Sequence, residues 1–224
     1  MKFHSLLKRL VQARHFALVS SLFLASFFAW IFMEISEEIW IENERFPFDI
    51  ELSRWMAQIQ TPISQQFLGL LTKLGGMEWM GGLGVLCIAI LIMKKQLTES
   101  IVLAVGFAVT MTSVLVIKFL SDRVRPVSVF SLEQSTSAFP SGHMAVSLFL
   151  YGFIAYLISR KIKDTRFSLG VIIIGIVFAV MIGISRLYLN VHWLSDVLGG
   201  FALGASYLCL CIGFLELTSK YKNQ

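Results

Sequence analysis

Charged residues are scarce in this chain. They make up 15% of its 224 residues, against 56% that are apolar, whereas a soluble domain is about a quarter charged. That shortage excludes an ordinary cytosolic enzyme. The wealth of apolar residues excludes a disordered or collagenous chain. Cysteine is almost absent. Cys87, Cys209 and Cys211 all sit inside apolar runs, without zinc-ligand spacing, and Cys209 and Cys211 fall on different faces of a helix. They read as small apolar packing residues. There is no internal repeat, no low-complexity tract and no oxygen-rich loop of the calcium-binding type. The mean hydropathy of +0.75 leaves no room for a large soluble domain.

What the chain does contain is apolar runs, at roughly 16–33, 77–93, 100–120, 142–159, 167–187 and 194–217. At 1.5 Å per residue, about 20 residues cross the hydrocarbon core of a bilayer. The runs are too long and too uniformly apolar for barrel strands, so helices are expected. The first run follows four basic residues, as a signal peptide would. It is longer than a signal peptide's apolar core, and Trp30-Ile31-Phe32-Met33 is a poor cleavage site, so it reads as a retained span. The expected fold is all-α: an integral-membrane six-helix bundle, one membrane domain over residues 1–224. Gly200 and Gly204 form a small-xxx-small pair for helix packing in the last span.

Residues 34–76 hold no spanning run. Glu34, Glu37, Glu38, Glu42, Glu44, Asp49 and Glu51 alternate there with Trp40, Phe46, Phe48 and Trp55. Aromatics among charges at the edge of a span predict an external segment lying along the membrane interface between helices 1 and 2. Glu34, Glu38 and Glu42 share a helical face, which reads as solvated acid rather than a cation site.

The net charge is +5. A basic balance can serve nucleic acid, but here it sits in short loops between apolar runs and orients the protein; no nucleic-acid partner is expected. Twelve of the 19 basic residues fall on one side: Lys2, Lys8, Arg9, Arg14, Lys94, Lys95, Arg160, Lys161, Lys163, Arg166, Lys220 and Lys222. The positive-inside rule puts that side, with both termini, in the cytoplasm. Arg45, Arg54, Lys73, Lys118, Arg123, Arg125 and Arg186 are left outside.

Three external edges carry polar residues that greasy helices do not need. The first runs from Lys118 to Arg125-Pro126. Seven residues apart on a helix, Lys118 and Arg125 would share a face, and Pro126 would end the element; snorkelling at the interface is the plain alternative. The second is Pro140-Ser141-Gly142-His143, opening the fourth span. Ser141 suits a helix N-cap, and the same N-terminus exposes N–H groups to an anion. The third runs from Ser185-Arg186 to His192 and Asp196. If the sixth span begins near Asn190, His192 and Asp196 are one turn apart on one face. The aspartate would then fix the histidine's tautomer and leave the other ring nitrogen free to attack. A merely structural Asp–His pair is the alternative.

All three edges fall on one side of the membrane. Ionisable groups at the ends of membrane helices facing one cavity are functional by default. Three cations, a helix N-terminus and two histidines describe a site for a phosphate dianion, with one histidine as nucleophile and the other as proton donor. No cluster of hard-cation ligands accompanies them, so neither a metal nor a cofactor is required.

These residues also carry a resemblance. Lys118-x6-Arg125-Pro126, Pro140-Ser141-Gly142-His143 and Ser185-Arg186-x5-His192-x3-Asp196 resemble, in order and with every position filled, the three-part signature of the type 2 phosphatidic acid phosphatase superfamily. Small size and a short acidic external segment bring the likeness nearest to the bacterial phosphatidylglycerophosphatase B subgroup. The resemblance implies a multi-pass protein of a bacterial plasma membrane with an extracytoplasmic site. It implies His192 as the nucleophile that becomes phosphohistidine, Asp196 as its orienting group, and His143 as acid and then base. Lys118, Arg125, Ser141, Gly142 and Arg186 would hold the phosphoryl oxygens. Asp122 and Arg123 lie off the signature's fixed positions and are read only as local salt-bridge partners. The implied reaction is hydrolysis of a lipid phosphomonoester, phosphatidylglycerol phosphate to phosphatidylglycerol. Phosphatidic acid and undecaprenyl pyrophosphate are other implied substrates. A non-catalytic binder of lipid phosphates is the competing class.

Overall fold

The computed structural model describes residues 2–41, 46–128, 130 and 136–218. Among them all regular structure is helical: α1 (Lys2–Ile41), α2 (Pro47–Ile59), α3 (Pro62–Lys73), α4 (Met77–Met93), α5 (Leu97–Ser121), α6 (Gly142–Ser159), α7 (Thr165–Tyr188) and α8 (Leu194–Thr218). Six stretches are long and apolar enough to cross a membrane: Phe16–Trp40, Pro62–Met93, Leu97–Ser121, Gly142–Ser159, Thr165–Tyr188 and Leu194–Thr218. The protein is thus an all-α, multi-pass membrane protein.

The segment expected as one interfacial connector, 34–76, is three pieces. Its first residues continue α1, and Glu42 and Glu44 lie outside the described residues. Its middle is α2. Its end is α3, which runs into α4 through Gly75 and Gly76, so that both helices share one candidate span. Proline opens α2 and α3 at a position where no N–H is needed. Thr61 and Ser64 close a reciprocal capping box on α3.

α6 is the central element. It packs on α7 and α8, and α1 lies along α8. Although α6 is the least apolar of the six spans, Met144 through Leu150 are all buried. Close approach of α6 and α8 depends on Gly200 and Gly204. A Cβ on Gly200 would stand 2.5 Å from the Ser141 carbonyl oxygen, and one on Gly204 would stand 2.4 Å from that of Ala145. Two backbones can therefore touch where one membrane helix crosses another. This contact sets the first turn of α6 directly against the first turns of α8.

Two residues with left-handed backbone aim the polar ends of the bundle. Asp122 (φ 47°) terminates α5 and Asn190 (φ 56°) follows the end of α7. Asp and Asn tolerate this region better than other side-chain-bearing residues. The segment after Asp122 has no regular structure and carries Arg123 to Asp196 and Arg125 to the Val191 carbonyl. The turn after Asn190 carries His192. Asn190 also latches α2: Ser53 Oγ donates to its Oδ1 at 2.8 Å, and its Nδ2 donates to the Ser53 carbonyl at 3.2 Å. Tyr188 holds the α2–α3 corner, its hydroxyl donating to the Ile59 carbonyl at 3.0 Å.

Candidate active site

Lys118, Arg125, Gly142, His143, Arg186 and His192 line one small cavity of about 150 Å³, together with Gly75, Thr136 and apolar residues of α4 and α5. His143 and Arg186 also border a much larger groove of about 1380 Å³, walled by α3, the start of α4 and the α7–α8 turn. The three edges therefore meet at one place, where a pocket of phosphate scale opens into a lipid-sized groove.

Lys118 and Arg125 converge by a route other than a shared helix face. α5 stops at Ser121, so Arg125 reaches the site from the irregular segment that follows. Both cations donate to the Ser137 carbonyl, Lys118 Nζ at 2.5 Å and Arg125 Nη2 at 3.2 Å. Arg125 Nη1 also donates to the Val191 carbonyl at 2.7 Å and faces His192 Nε2 at 3.3 Å. Burial weakens the hold of Arg125 on its proton, while the Asp196 carboxylate strengthens it. Arg186 Nη1 donates to Thr72 Oγ1 at 3.1 Å, and its Nε is buried without a partner. An acceptor such as a phosphoryl oxygen would satisfy that N–H.

Ser141 and Asp196 need correction in detail. The Ser141 side chain makes no cap bond on α6; its Oγ is buried and unpartnered, while its backbone N–H donates to the Asp196 carbonyl at 2.9 Å. α8 begins at Leu194, not near Asn190, so His192 and Asp196 do not stack on one helical face. A turn brings them together instead, with His192 Nδ1 3.4 Å from Asp196 Oδ2. That contact is within ion-pair range yet too poorly aligned for a hydrogen bond. Catalytic hydrogen bonds are commonly long before substrate arrives.

An arginine can only donate, so the Arg125 contact fits a His192 ring with its lone pair on Nε2 and its proton on Nδ1, toward Asp196. The ring is neutral. Burial holds its pKa well below the usual 6.5, as do Lys118, Arg186 and Arg125, with a backbone hydrogen bond to Ala138 working the other way. Three basic side chains line the cavity and a single carboxylate, Asp196, lies behind it, an excess of basic groups that suits a phosphate anion.

Arg123, read as a salt-bridge partner, does form salt bridges, with partners far along the chain: its side chain is 8% exposed and it bonds both Asp196 and Asp49. Two neighbours of the site escaped the sequence reading. Asp49, one acid in the stretch read as an interfacial segment, is 1% exposed. Thr72, the partner of Arg186, carried no signal at all.

Residues 99–218 match the family described as the PAP2 superfamily. Phosphatidylglycerophosphatase B of Bacillus subtilis (strain 168) is 30% identical over 177 residues, 79% of this chain and 87% of that protein. The crystal structure of the first transmembrane PAP2-type phosphatidylglycerolphosphate phosphatase from Bacillus subtilis superposes with a TM-score of 0.75 at 26% identity, covering 91% of this chain and 98% of that one. Aquifex aeolicus LpxE superposes with a TM-score of 0.57 at 22% identity, over 78% and 98% of the two chains, a likeness of fold alone.

The unpartnered Ser141 hydroxyl has a direct consequence for stability. Loss of a true N-cap side chain costs about 1 kcal/mol, whereas Ser141→Ala here removes a buried hydroxyl that bonds nothing. Thermal unfolding in detergent is expected to show stability unchanged or slightly raised. A clear drop would mean that the hydroxyl caps α6 after all.

Proposed function

This chain belongs to the PAP2 superfamily and is a membrane lipid phosphatase, and we propose that its own reaction is the hydrolysis of phosphatidylglycerol phosphate to phosphatidylglycerol and inorganic phosphate. The observation that carries the reading is the placement of His192. It lines a phosphate-scale cavity together with three cations, and its Nδ1 lies 3.4 Å from a buried carboxylate. The relative named for this activity supports the choice of headgroup.

In the proposed mechanism Lys118, Arg125, Arg186, the Ser141 hydroxyl and the N–H at Gly142 hold the phosphoryl oxygens and draw off charge as it develops. His192 Nε2 attacks phosphorus in line, an N–P bond forms, and the P–O bond to the lipid breaks. His143 gives the departing lipid oxygen a proton. Asp196 stabilises the positive charge the imidazole acquires. His143, now neutral, takes a proton from water; the hydroxide attacks phosphorus, the N–P bond breaks, and phosphate departs. Every proton and charge has a protein partner, so the proposal includes no metal. Among the described residues no group of three or more His, Cys, Asp or Glu side chains has an arrangement that could hold a metal ion.

The reading is tested by steady-state kinetics on phosphatidylglycerol phosphate, phosphatidic acid and undecaprenyl pyrophosphate in one detergent, with and without a chelator. Phosphatidylglycerol phosphate is expected to have the highest kcat/KM, unaffected by chelation. His192→Ala is expected to have no measurable turnover, and His143→Ala to lose about 10²–10⁴-fold, the usual contribution of general acid–base catalysis. Full activity of His192→Ala, or activity lost to the chelator and restored by a divalent ion, would refute the mechanism. Preference for undecaprenyl pyrophosphate would refute the substrate.

The site is proposed to face the extracytoplasmic side, with both termini in the cytoplasm, on the strength of the twelve-to-seven division of basic residues. A cysteine at Lys163 is expected to resist an impermeant thiol reagent in intact cells and to react after permeabilisation. Labelling before permeabilisation would reverse the orientation.

A further inference from the structure

Asp196 does not stand alone behind His192. Its Oδ1 accepts from Arg123 Nη1 at 2.5 Å, and its Oδ2 accepts from the Trp193 backbone N–H at 2.8 Å. The second amino group of Arg123, Nη2, donates to Asp49 Oδ2 at 2.9 Å. Asp49 in turn accepts from the Ser195 backbone N–H at 2.9 Å and from the Ser195 hydroxyl at 2.5 Å, and Arg123 Nη1 reaches that hydroxyl at 2.8 Å. Asp49, Ser195 and Asp196 are each no more than 1% exposed. One guanidinium thus bridges two buried carboxylates, one on α2 and one on α8.

Two physical consequences follow from this arrangement. The first concerns direction. With Oδ1 engaged by Arg123, only Oδ2 is left to face His192 Nδ1. A carboxylate free to rotate would have three competing cations in the adjoining cavity. The second concerns charge. An arginine bonded to Asp196 alone would cancel the charge on which the imidazole relies. Asp49 shares the guanidinium, so Arg123 and Asp49 together are neutral and Asp196 keeps its negative charge for His192. A guanidinium suits this bridge because its planar fork presents two directed donor groups; lysine offers one point charge.

We infer that Arg123 and Asp49 are positioning residues for catalysis, acting through Asp196 to hold its carboxylate on His192 and to preserve its charge; this rests on the reading of His192 as the nucleophile. Neither residue touches the cavity that would hold phosphate. Their effect therefore falls on the chemical step and not on substrate binding. Without this role, the Asp49–Arg123–Asp196 bridge would be only a staple between α2 and the start of α8.

The test compares Asp49→Asn and Arg123→Lys with wild type, alone and in an Asp196→Asn background. Both substitutions keep side-chain volume, whereas Arg123→Ala would strand two buried carboxylates and threaten folding. Turnover of dioctanoyl phosphatidic acid in detergent is measured at high enzyme concentration, with thermal unfolding alongside. Each single variant is expected to lose about 10–100-fold in kcat, the size of loss seen when the outer partners that orient metal-ligating histidines are removed, with KM moved by no more than about twofold. In the Asp196→Asn background neither is expected to cause further loss, since the group they act through is already disabled. Losses that multiply in that background, or that appear in KM together with a lowered unfolding temperature, would make the bridge a staple and overturn the inference.

A second readout needs no turnover. In ¹⁵N-labelled protein, with His192 assigned by His192→Gln, wild type is expected to show the Nδ1–H tautomer. Asp49→Asn and Arg123→Lys are expected to shift His192 toward the other tautomer and leave His143 unmoved. Unmoved His192 signals would overturn the inference even if the protein proved inactive on every lipid phosphate, an outcome that would instead refute the proposed function.

Discussion

Three like charges gathered in one half-buried pocket repel one another, and most of this structure is an answer to that repulsion. Lys118, Arg125 and Arg186 are held in place by oxygen atoms that bear no net charge: the carbonyls of Ser137, Ala138, Thr136 and Val191 and the hydroxyl of Thr72. Carbonyl dipoles can orient a cation without discharging it. The pocket therefore keeps its attraction for a dianion, which a ring of carboxylates would abolish. The one carboxylate beside His192, Asp196, faces that ring with Oδ2 and bonds Arg123, which lies outside the cavity lining, with Oδ1. In the proposed mechanism a neutral nucleophile and an electrophile that must be drawn in then occupy the same cavity.

The helices serve this arrangement through packing rather than through propensity. Gly200 and Gly204 let α8 touch the backbone of α6. The Ser141 N–H consequently meets the Asp196 carbonyl, and the start of α6 is joined to the catalytic turn by a main-chain bond. α2 is latched to the same turn by Asn190, Tyr188 and Arg123. Side chains from six helices, α2, α3, α5, α6, α7 and α8, and from two connecting segments thereby meet at the end of the bundle where the chain is least regular.

The bundle and the membership of the site are legible in the sequence for a simple reason. A run of about 20 apolar residues has few structural solutions, and lysine, arginine and histidine at the ends of such runs need a purpose. How those residues meet is less legible. Periodicity suggested that Lys118 and Arg125 share a helix and that His192 and Asp196 share another. In fact α5 ends at the left-handed Asp122, and α8 starts only at Leu194, after the left-handed turn at Asn190, so the chain makes both meetings through irregular or turning backbone. Asp49 and Thr72 were out of reach altogether. Asp49 is one acid among several, and its partner Arg123 lies 74 positions away. Composition averages over that stretch and reads it as interfacial; only the fold shows which of its acids, Asp49, is buried against a distant arginine.

The central claim is that His192 becomes covalently phosphorylated during turnover, and a rapid-quench experiment meets it most directly. Purified protein is mixed with ³²P-labelled lipid phosphate, quenched in alkali within milliseconds and freed of lipid. The account predicts label on the protein that is stable in base and released by acid, as expected of a P–N bond. The label is absent in His192→Ala and accumulates in wild type before free phosphate reaches its steady rate. Wild-type protein that releases phosphate with no such label at any time, or an equal label in His192→Ala, would contradict it.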